Sequence, residues 1–500
     1  MRNILKKTLF IKGFGIFFLF MFICGNGMAG TKLISEKNVE YQDVLCEQFD
    51  YQRFFRSEVS YDDFLEDTKN LIYLLETAYA GFEDMLEKGF NSDNFFKDCE
   101  DIFKTKQFIT TYEISNYYYE YLKNYINDTH CFINSLNFSK NFVKTVCVFF
   151  SDLYLIEKKE KFFVIKSNNL DLPLNSEVNI QMEYLFKYLS EGKNIYRVGK
   201  LADYSDKNVN VSFYLSGKKY ELKCESNSSF STQRVIEDLI GYDEIETEKT
   251  GYIRIKTFMD FPKETGYRNE LDKIYSDFAY AGKKFRTKEY VILDLRGNGG
   301  GQSLHPSKFL NNLVCDKEIE NFGSFNSVFL ISPAIFQVMQ TKLKTTYSEN
   351  DFVYKEYKQF MKLYKKTKKI SFLCMPKKER KKIKSKFKGK LIIVVDKGTA
   401  SSSELIVSHA KELFGKSDQI ILVGENTFGC FNYGNIFHYQ LRNSGISISL
   451  AQFEMENPPI TEGLGYFPDY WTTKDDMIKA LVNITGDEEL LEKTKDINEL

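Results

Sequence analysis

Thr399-Ala400-Ser401-Ser402-Ser403-Glu404 is a hydroxyl-rich turn that opens an apolar segment containing Leu405, Ile406, Val407, Ala410 and Leu413. Such a turn sets a serine at a helix N-terminus, where free backbone N–H groups stabilise developing negative charge. Upstream, Asp294-Leu295-Arg296-Gly297-Asn298-Gly299-Gly300-Gly301 is a glycine-rich turn after an apolar run, the kind of backbone that can supply an oxyanion hole. Together they point to acyl transfer by a serine nucleophile. Each turn also has a plainer reading. Ser401-x-x-Glu404 has the spacing of a capping box, which satisfies the first N–H groups of a helix. Glycine-rich strand-to-helix turns also bind phosphate, but 297–301 lacks both the Lys-Ser/Thr of a phosphate loop and the spacing of a dinucleotide fingerprint.

A serine nucleophile needs a base, and the chain has four histidines. His409 follows Ser401 by eight positions on the same expected helix, about 12 Å along its axis, and cannot reach the hydroxyl. His305 follows the glycine turn and is a rival. His438 lies in the strand-like run Ile436-Phe437-His438-Tyr439, where a structural role is expected. His130 closes Asn127-Asp128-Thr129-His130, a polar turn whose histidine could simply be satisfied by local backbone.

The elements that must position these residues can be read from periodicity. Apolar residues recur at helical spacing from about Tyr61 to Tyr125, including Phe64, Leu71, Leu74, Leu75, Phe95, Phe103, Ile114 and Tyr118. Residues 146–226 switch to short alternating runs such as 209–215, closing on a Ser216-Gly217 turn, which predicts a small β-rich module. From Gly251 onward strands at 252–255, 290–293, 391–395 and 420–423 alternate with helices at about 267–281 and 402–414, with an irregular region in the middle. This pattern predicts an α/β layered core with mixed or parallel pairing, its apolar strands buried on both faces. The basic run from Lys377 to Lys390 reads as a solvated helix or loop rather than a patch for acidic ligands.

Five hundred residues predict two to three domains. Abundant Asn, Lys, Phe and Tyr with 8 Pro and 1 Trp suggest an AT-rich genome. Near-balanced charge gives no basic field for nucleic acid. Arg2, Lys6, Lys7 and Lys12 precede the apolar run 14–23 and Gly27-Met28-Ala29, which fits a secretory signal cut after Ala29, with an uncleaved anchor as the alternative. Cleavage would remove those four cations and no carboxylate, taking the formal charge from −1 to −5, and no stable membrane insertion is expected afterwards. Cys24 follows Ile23, a poor lipoprotein context, and the other eight cysteines form no CxxC or zinc-like cluster. No metal or organic cofactor is implied.

Four motifs in order resemble the tail-specific (C-terminal processing) serine peptidases: Asp294-Leu295-Arg296-Gly297-Asn298-Gly299-Gly300, Thr399-Ala400-Ser401-Ser402-Ser403-Glu404, Gly424-Glu425-Asn426-Thr427-Phe428-Gly429 and Glu462-Gly463-Leu464-Gly465-Tyr466-Phe467-Pro468-Asp469. The resemblance implies Ser401 as nucleophile, a PDZ-like identity for the β-rich module, and oxyanion donors at the glycine turn and just after the serine. We expect these to be the N–H groups of Gly300 and Ser402, with Gly299 and Gly301 as alternatives. One branch of that family places a lysine directly after the Thr-x-Gly turn, where this chain has Cys430. The tricorn-like branch instead uses a histidine preceded by a hydroxyl residue, with a glutamate, and it resembles Thr129, His130 and Glu462 here. An unperturbed imidazole pKa of about 6.5 suits proton transfer near neutrality.

The implied organisation is a signal peptide (1–29), a helical N-terminal region (30–145), a PDZ-like module (146–226), an α/β peptidase core (227–485) and a charged tail (486–500). The expected activity is hydrolysis of polypeptides by an exported enzyme, with oligomeric state open. A peptide-binding protein that lost catalysis is the alternative suggested by Cys430. An esterase fits less well, since no Gly-x-Ser-x-Gly elbow is present.

Overall fold

The computed structural model describes residues 32–37, 42–46, 55–168, 172–189, 195–215, 218–226, 239–259, 266–316, 319, 325–345, 352–375, 377, 383–415 and 418–494. The proposed signal segment, the Ser216-Gly217 turn, part of the basic run and the end of the charged tail lie outside these residues. The chain divides into two units. One comprises 1–143, 320–381 and 432–458, the other 144–319, 382–431 and 459–500.

In the first unit the helical spacing after Tyr61 becomes the helices Tyr61–Ala78, Phe82–Glu87, Ser92–Phe103 and Thr111–Leu122. Their starts have side-chain caps: Ser60 Oγ accepts from Asp63 N at 3.2 Å, and Thr110 with Glu113 forms a capping box. Phe64, Leu71, Leu75, Phe95 and Tyr118 merge into one core with an antiparallel sheet. The sheet order is Lys32–Lys37, Ile370–Met375, Ser327–Ile331, Ser447–Met455, Tyr433–Gln440, Leu45–Cys46, and the hairpin Phe132–Ser135/Phe138–Asn141 joins it on Ser447–Met455. The stretch read from sequence as irregular therefore holds two of these strands and the helices Pro333–Thr345 and Phe352–Thr367. Its strands are short continuous apolar runs, which periodicity alone does not distinguish from buried helix segments.

In the second unit the β-rich segment forms a five-stranded antiparallel sheet, ordered Leu185–Lys187, Ile195–Asp203, Val146–Lys158, Lys161–Lys166, Glu177–Val178, and a hairpin of Val209–Leu215 with Lys218–Cys224. Val209, Val211, Phe213 and Leu215 alternate inward and share a core with Leu153, Leu155 and Val164. The α/β core is a six-stranded sheet ordered Tyr242–Glu246, Thr250–Ile255, Tyr290–Asp294, Lys390–Val395, Ile420–Gly424, Tyr470–Trp471. Every pairing beyond the first is parallel. Val291, Ile292, Leu293 and Leu391 to Val395 are fully buried, as strands covered on both faces must be. Ile292, Ile392, Val394 and Val423 pack with Met477, Ala480 and Leu481 of the helix Met477–Thr485.

Candidate active site

Parallel register brings the motifs together. Asp294 pairs with Val394 and Val395 with Gly424, so three neighbouring strands end at one level and release the glycine turn, the serine turn and the 425–430 loop side by side. The carboxyl ends of parallel strands are where α/β sheets place their ligands.

The glycine turn is held from within. Asp294 is fully buried and accepts from Arg296 N at 3.0 Å and from its guanidinium at 2.6–3.1 Å. Burial opposes the carboxylate charge, yet Arg296 beside it keeps its pKa below the ordinary value. Both residues are thus spent on shaping the turn. Asn298, also fully buried, donates to Ile255 O at 3.0 Å while its carbonyl accepts from Ala400 N at 3.1 Å. Asp396 Oδ1 completes the join, accepting from Gly297 N at 2.8 Å and Gly398 N at 2.9 Å.

Gly300 lies directly against the serine turn. At φ +94° it occupies backbone space open to glycine, and a Cβ there would fall 2.8 Å from both Ser401 Cβ and Ser402 N. The N–H of Gly300 donates to Asn298 Oδ1 at 3.0 Å. Ser402 Oγ donates to Gly301 O, closing the contact between the two turns.

Ser401 has φ 55° and ψ −119°, a conformation that a residue with a side chain rarely adopts. It sits where the strand Lys390–Val395 has turned into the helix Ser402–Phe414. Strain of this kind costs on the order of 1–3 kcal/mol and persists only where the surroundings impose it. A sharp strand-to-helix turn of this kind presents the nucleophile in the serine elbow of α/β-hydrolases. Glu404 accepts from Ser401 N at 3.1 Å, so the glutamate half of the sequence-read capping box is formed.

Glu404 also organises the adjoining loop. Fully buried, it accepts from Thr427 Oγ1 at 2.5 Å, Gly429 N at 2.8 Å and Cys430 N at 2.8 Å. Burial pushes its pKa up against the pull of these donors. Gly429, at φ +77°, packs where a Cβ would meet Gly463, Leu464 and Gly465 N at 2.6–2.7 Å. Glu462, 7% exposed, accepts from Phe431 N at 3.1 Å at the other end of the same contact. Beside it a groove of about 600 Å³ is lined by Ser408, Lys411, Thr461, Leu464, Tyr466 and Phe467, among others.

Sequence reasoning passed over Lys397, which the structure places among these loops. Its side chain is buried, and Nζ donates to Thr427 O at 3.1 Å, Phe428 O at 3.3 Å and Gly463 O at 3.4 Å. Burial brings its pKa down to about 8. Only its place two residues before Thr399 set it apart from the other lysines.

The structure gathers Ser401, Ser402, Gly300 and Glu462 in the second unit; Thr129 and His130 belong to the first. There the buried Asp128 turns the chain, Oδ1 accepting from His130 N at 2.8 Å and lying 3.6 Å from His130 Nδ1. The second distance is too long for a hydrogen bond and leaves a charge contact when the ring is protonated. Thr129 is buried beside it. The other histidines are engaged elsewhere. His305 stacks on Tyr275 at 3.6 Å between ring centroids, and burial lowers its pKa to about 3. His438 Nδ1 lies 2.7 Å from Ser449 Oγ across the paired strands Tyr433–Gln440 and Ser447–Met455. His409 is buried on the helix that Ser401 opens.

Among the described residues, Cys46, Cys99, Cys131, Cys147, Cys224, Cys315, Cys374 and Cys430 form no disulfide. Among the described residues no helix is long and apolar enough to cross a membrane, and no group of His, Cys, Asp and Glu could hold a metal ion.

The model of peptidase family S41 matches residues 249–470. Solved structures similar to this chain include mature CPAF (12% identity, 88% of this chain and 99% of that chain, TM-score 0.42). They also include the photosystem II D1 C-terminal processing protease (12% identity, 86% and 99%, TM-score 0.34) and the tricorn protease (14% identity, 87% and 37%, TM-score 0.30). No curated protein sequence matches the chain.

Proposed function

We propose, from the match of residues 249–470 to the model of peptidase family S41, that the protein is an exported serine endopeptidase in which Ser401 attacks a peptide carbonyl and forms an acyl-enzyme. The single observation that carries the nucleophile assignment is the forced backbone of Ser401 at φ 55°, against the glycine turn and at the head of a helix. His130 takes the hydroxyl proton and returns it to the leaving amine, with Thr129 and Glu462 positioning groups around the reacting centre.

The oxyanion donors are the N–H groups of Ser402 and Gly300. At rest Gly300 N–H is held by Asn298 Oδ1. An oxyanion is the stronger acceptor, and Gly300 N–H serves it once the amide oxygen is displaced. The substrate is a polypeptide, and we assign its docking to the groove beside Glu462. The sheet of residues 146–226 is a PDZ-like module, and its role of gating or binding a polypeptide rests on analogy of fold. Residues 1–29 act as the secretory signal.

Labelling with a fluorophosphonate probe tests this reading. We expect the parent to label on Ser401, Ser401→Ala to abolish labelling, and His130→Ala to slow it at least about 10³-fold, as loss of a triad base does. An unlabelled but folded parent would instead favour a peptide-binding protein, the reading to which Cys430 gives its only support.

A further inference from the structure

The segment 427–430 is gripped from two sides by groups of opposite charge. Its carbonyls, Thr427 O and Phe428 O, face the ammonium of Lys397 at 3.1 and 3.3 Å. Its donors, Thr427 Oγ1, Gly429 N and Cys430 N, face the carboxylate of Glu404 at 2.5–2.8 Å. The two charges flank Ser401, Lys397 four residues before it and Glu404 three residues after. The third N–H of Lys397 reaches Gly463 O at 3.4 Å, the carbonyl of the residue after Glu462.

We propose that Lys397 is a positioning residue of the serine site, its ammonium tying the 427–428 and 463 main chains to the turn that carries Ser401. This rests on the proposed role of Ser401 as nucleophile and adds to it a residue that the motifs do not mark. The three N–H groups of the ammonium meet three carbonyl oxygens, which uses the group as a cation and leaves no lone pair to act as a base. At 2% exposure the bonds run in a low-dielectric setting, where a charged donor is worth roughly twice a neutral one. The segment Thr427-Phe428-Gly429-Cys430 is buried except at Phe428, so its backbone polar groups need partners within the protein. A cation on its carbonyls and an anion on two of its amides and the Thr427 hydroxyl supply them.

The titratable groups around Nζ are Glu404 of the helix Ser402–Phe414, Cys147 of the strand Val146–Lys158, Glu425 after the strand Ile420–Gly424, and Cys430. Burial lowers the ammonium's pKa to about 8 and these partners resist the fall. Loss of the proton removes one of three donors and the charge, so the tie weakens as pH rises through that value.

The parent, Lys397→Met and Lys397→Arg are compared by the rate of fluorophosphonate inactivation between pH 6 and 10, and by amide hydrogen exchange of 425–431 and 461–467. We expect Lys397→Met to slow inactivation at least about tenfold at pH 7, the size of one lost charged hydrogen bond, and to raise exchange in both segments. The parent should lose rate with a midpoint near pH 8, and Lys397→Arg should hold its rate beyond pH 9 because the guanidinium stays charged. If Lys397→Met misfolds, the Arg profile alone decides. Unchanged exchange and rate in Lys397→Met, or an alkaline limb shared by parent and Arg variant, overturns the proposal. A parent that does not label, with exchange raised in Lys397→Met, leaves the tie standing and removes only the nucleophile reading.

Discussion

At the scale of single residues, the strain at Ser401 can be measured apart from its chemistry. Ser401→Ala and Ser401→Gly both lack the hydroxyl, but only glycine adopts φ 55° without steric penalty. We expect both variants to be inactive and Ser401→Gly to be the more stable, by about 1 kcal/mol after glycine's own entropic cost is allowed for. Urea unfolding of the pair checks this, and equal midpoints would mean that the turn holds no strain. Ser401 was legible in the sequence because hydroxyls, small residues and a following glutamate share one short window. Lys397 was not, since a lysine's role here depends on three carbonyls 30 to 66 positions away.

At the scale of elements, the parallel strands Tyr290–Asp294, Lys390–Val395 and Ile420–Gly424 act as a common baseline from which three loops emerge in register. The loops are then joined by Glu404. Glu404→Ala strips the acceptor from Ser401 N, Thr427 Oγ1, Gly429 N and Cys430 N at once, and buried donors left unpaired cost about 1–3 kcal/mol each before relaxation or water entry. We expect at least about 3 kcal/mol of destabilisation by denaturant unfolding. Glu404→Gln should cost less than Glu404→Ala, because burial already raises the pKa of this carboxyl and one acceptor oxygen remains. The strands and helices of this core could be read from continuous apolar runs alternating with helical spacing. The strands Ser327–Ile331 and Ile370–Met375 could not, because a short apolar run with no alternation is not told from a buried helix segment by periodicity alone.

At the scale of the whole molecule, acid stability should be governed in part by His305. The folded state keeps this imidazole neutral down to a pKa of about 3, whereas an unfolded chain protonates it near 6.5. Between those values the unfolded state binds more protons, so stability is fully present above pH 6.5 and falls as pH drops towards 3, by on the order of 4 kcal/mol. His305→Phe keeps the stacking on Tyr275 and removes the titration. Its acid unfolding midpoint, followed by circular dichroism, should lie below that of the parent, and an unchanged midpoint would place the acid sensitivity elsewhere. The amino-acid sequence by itself determined the α/β character of the core, the serine turn, the glycine turn and their order, because periodicity, small-residue turns and hydroxyl placement are local properties. Tertiary structure alone decided that Gly300 abuts Ser401 and that Lys397 and Glu404 hold the 427–430 loop between opposite charges. Those relations arise from strand register and burial, which join residues that no window of the sequence contains.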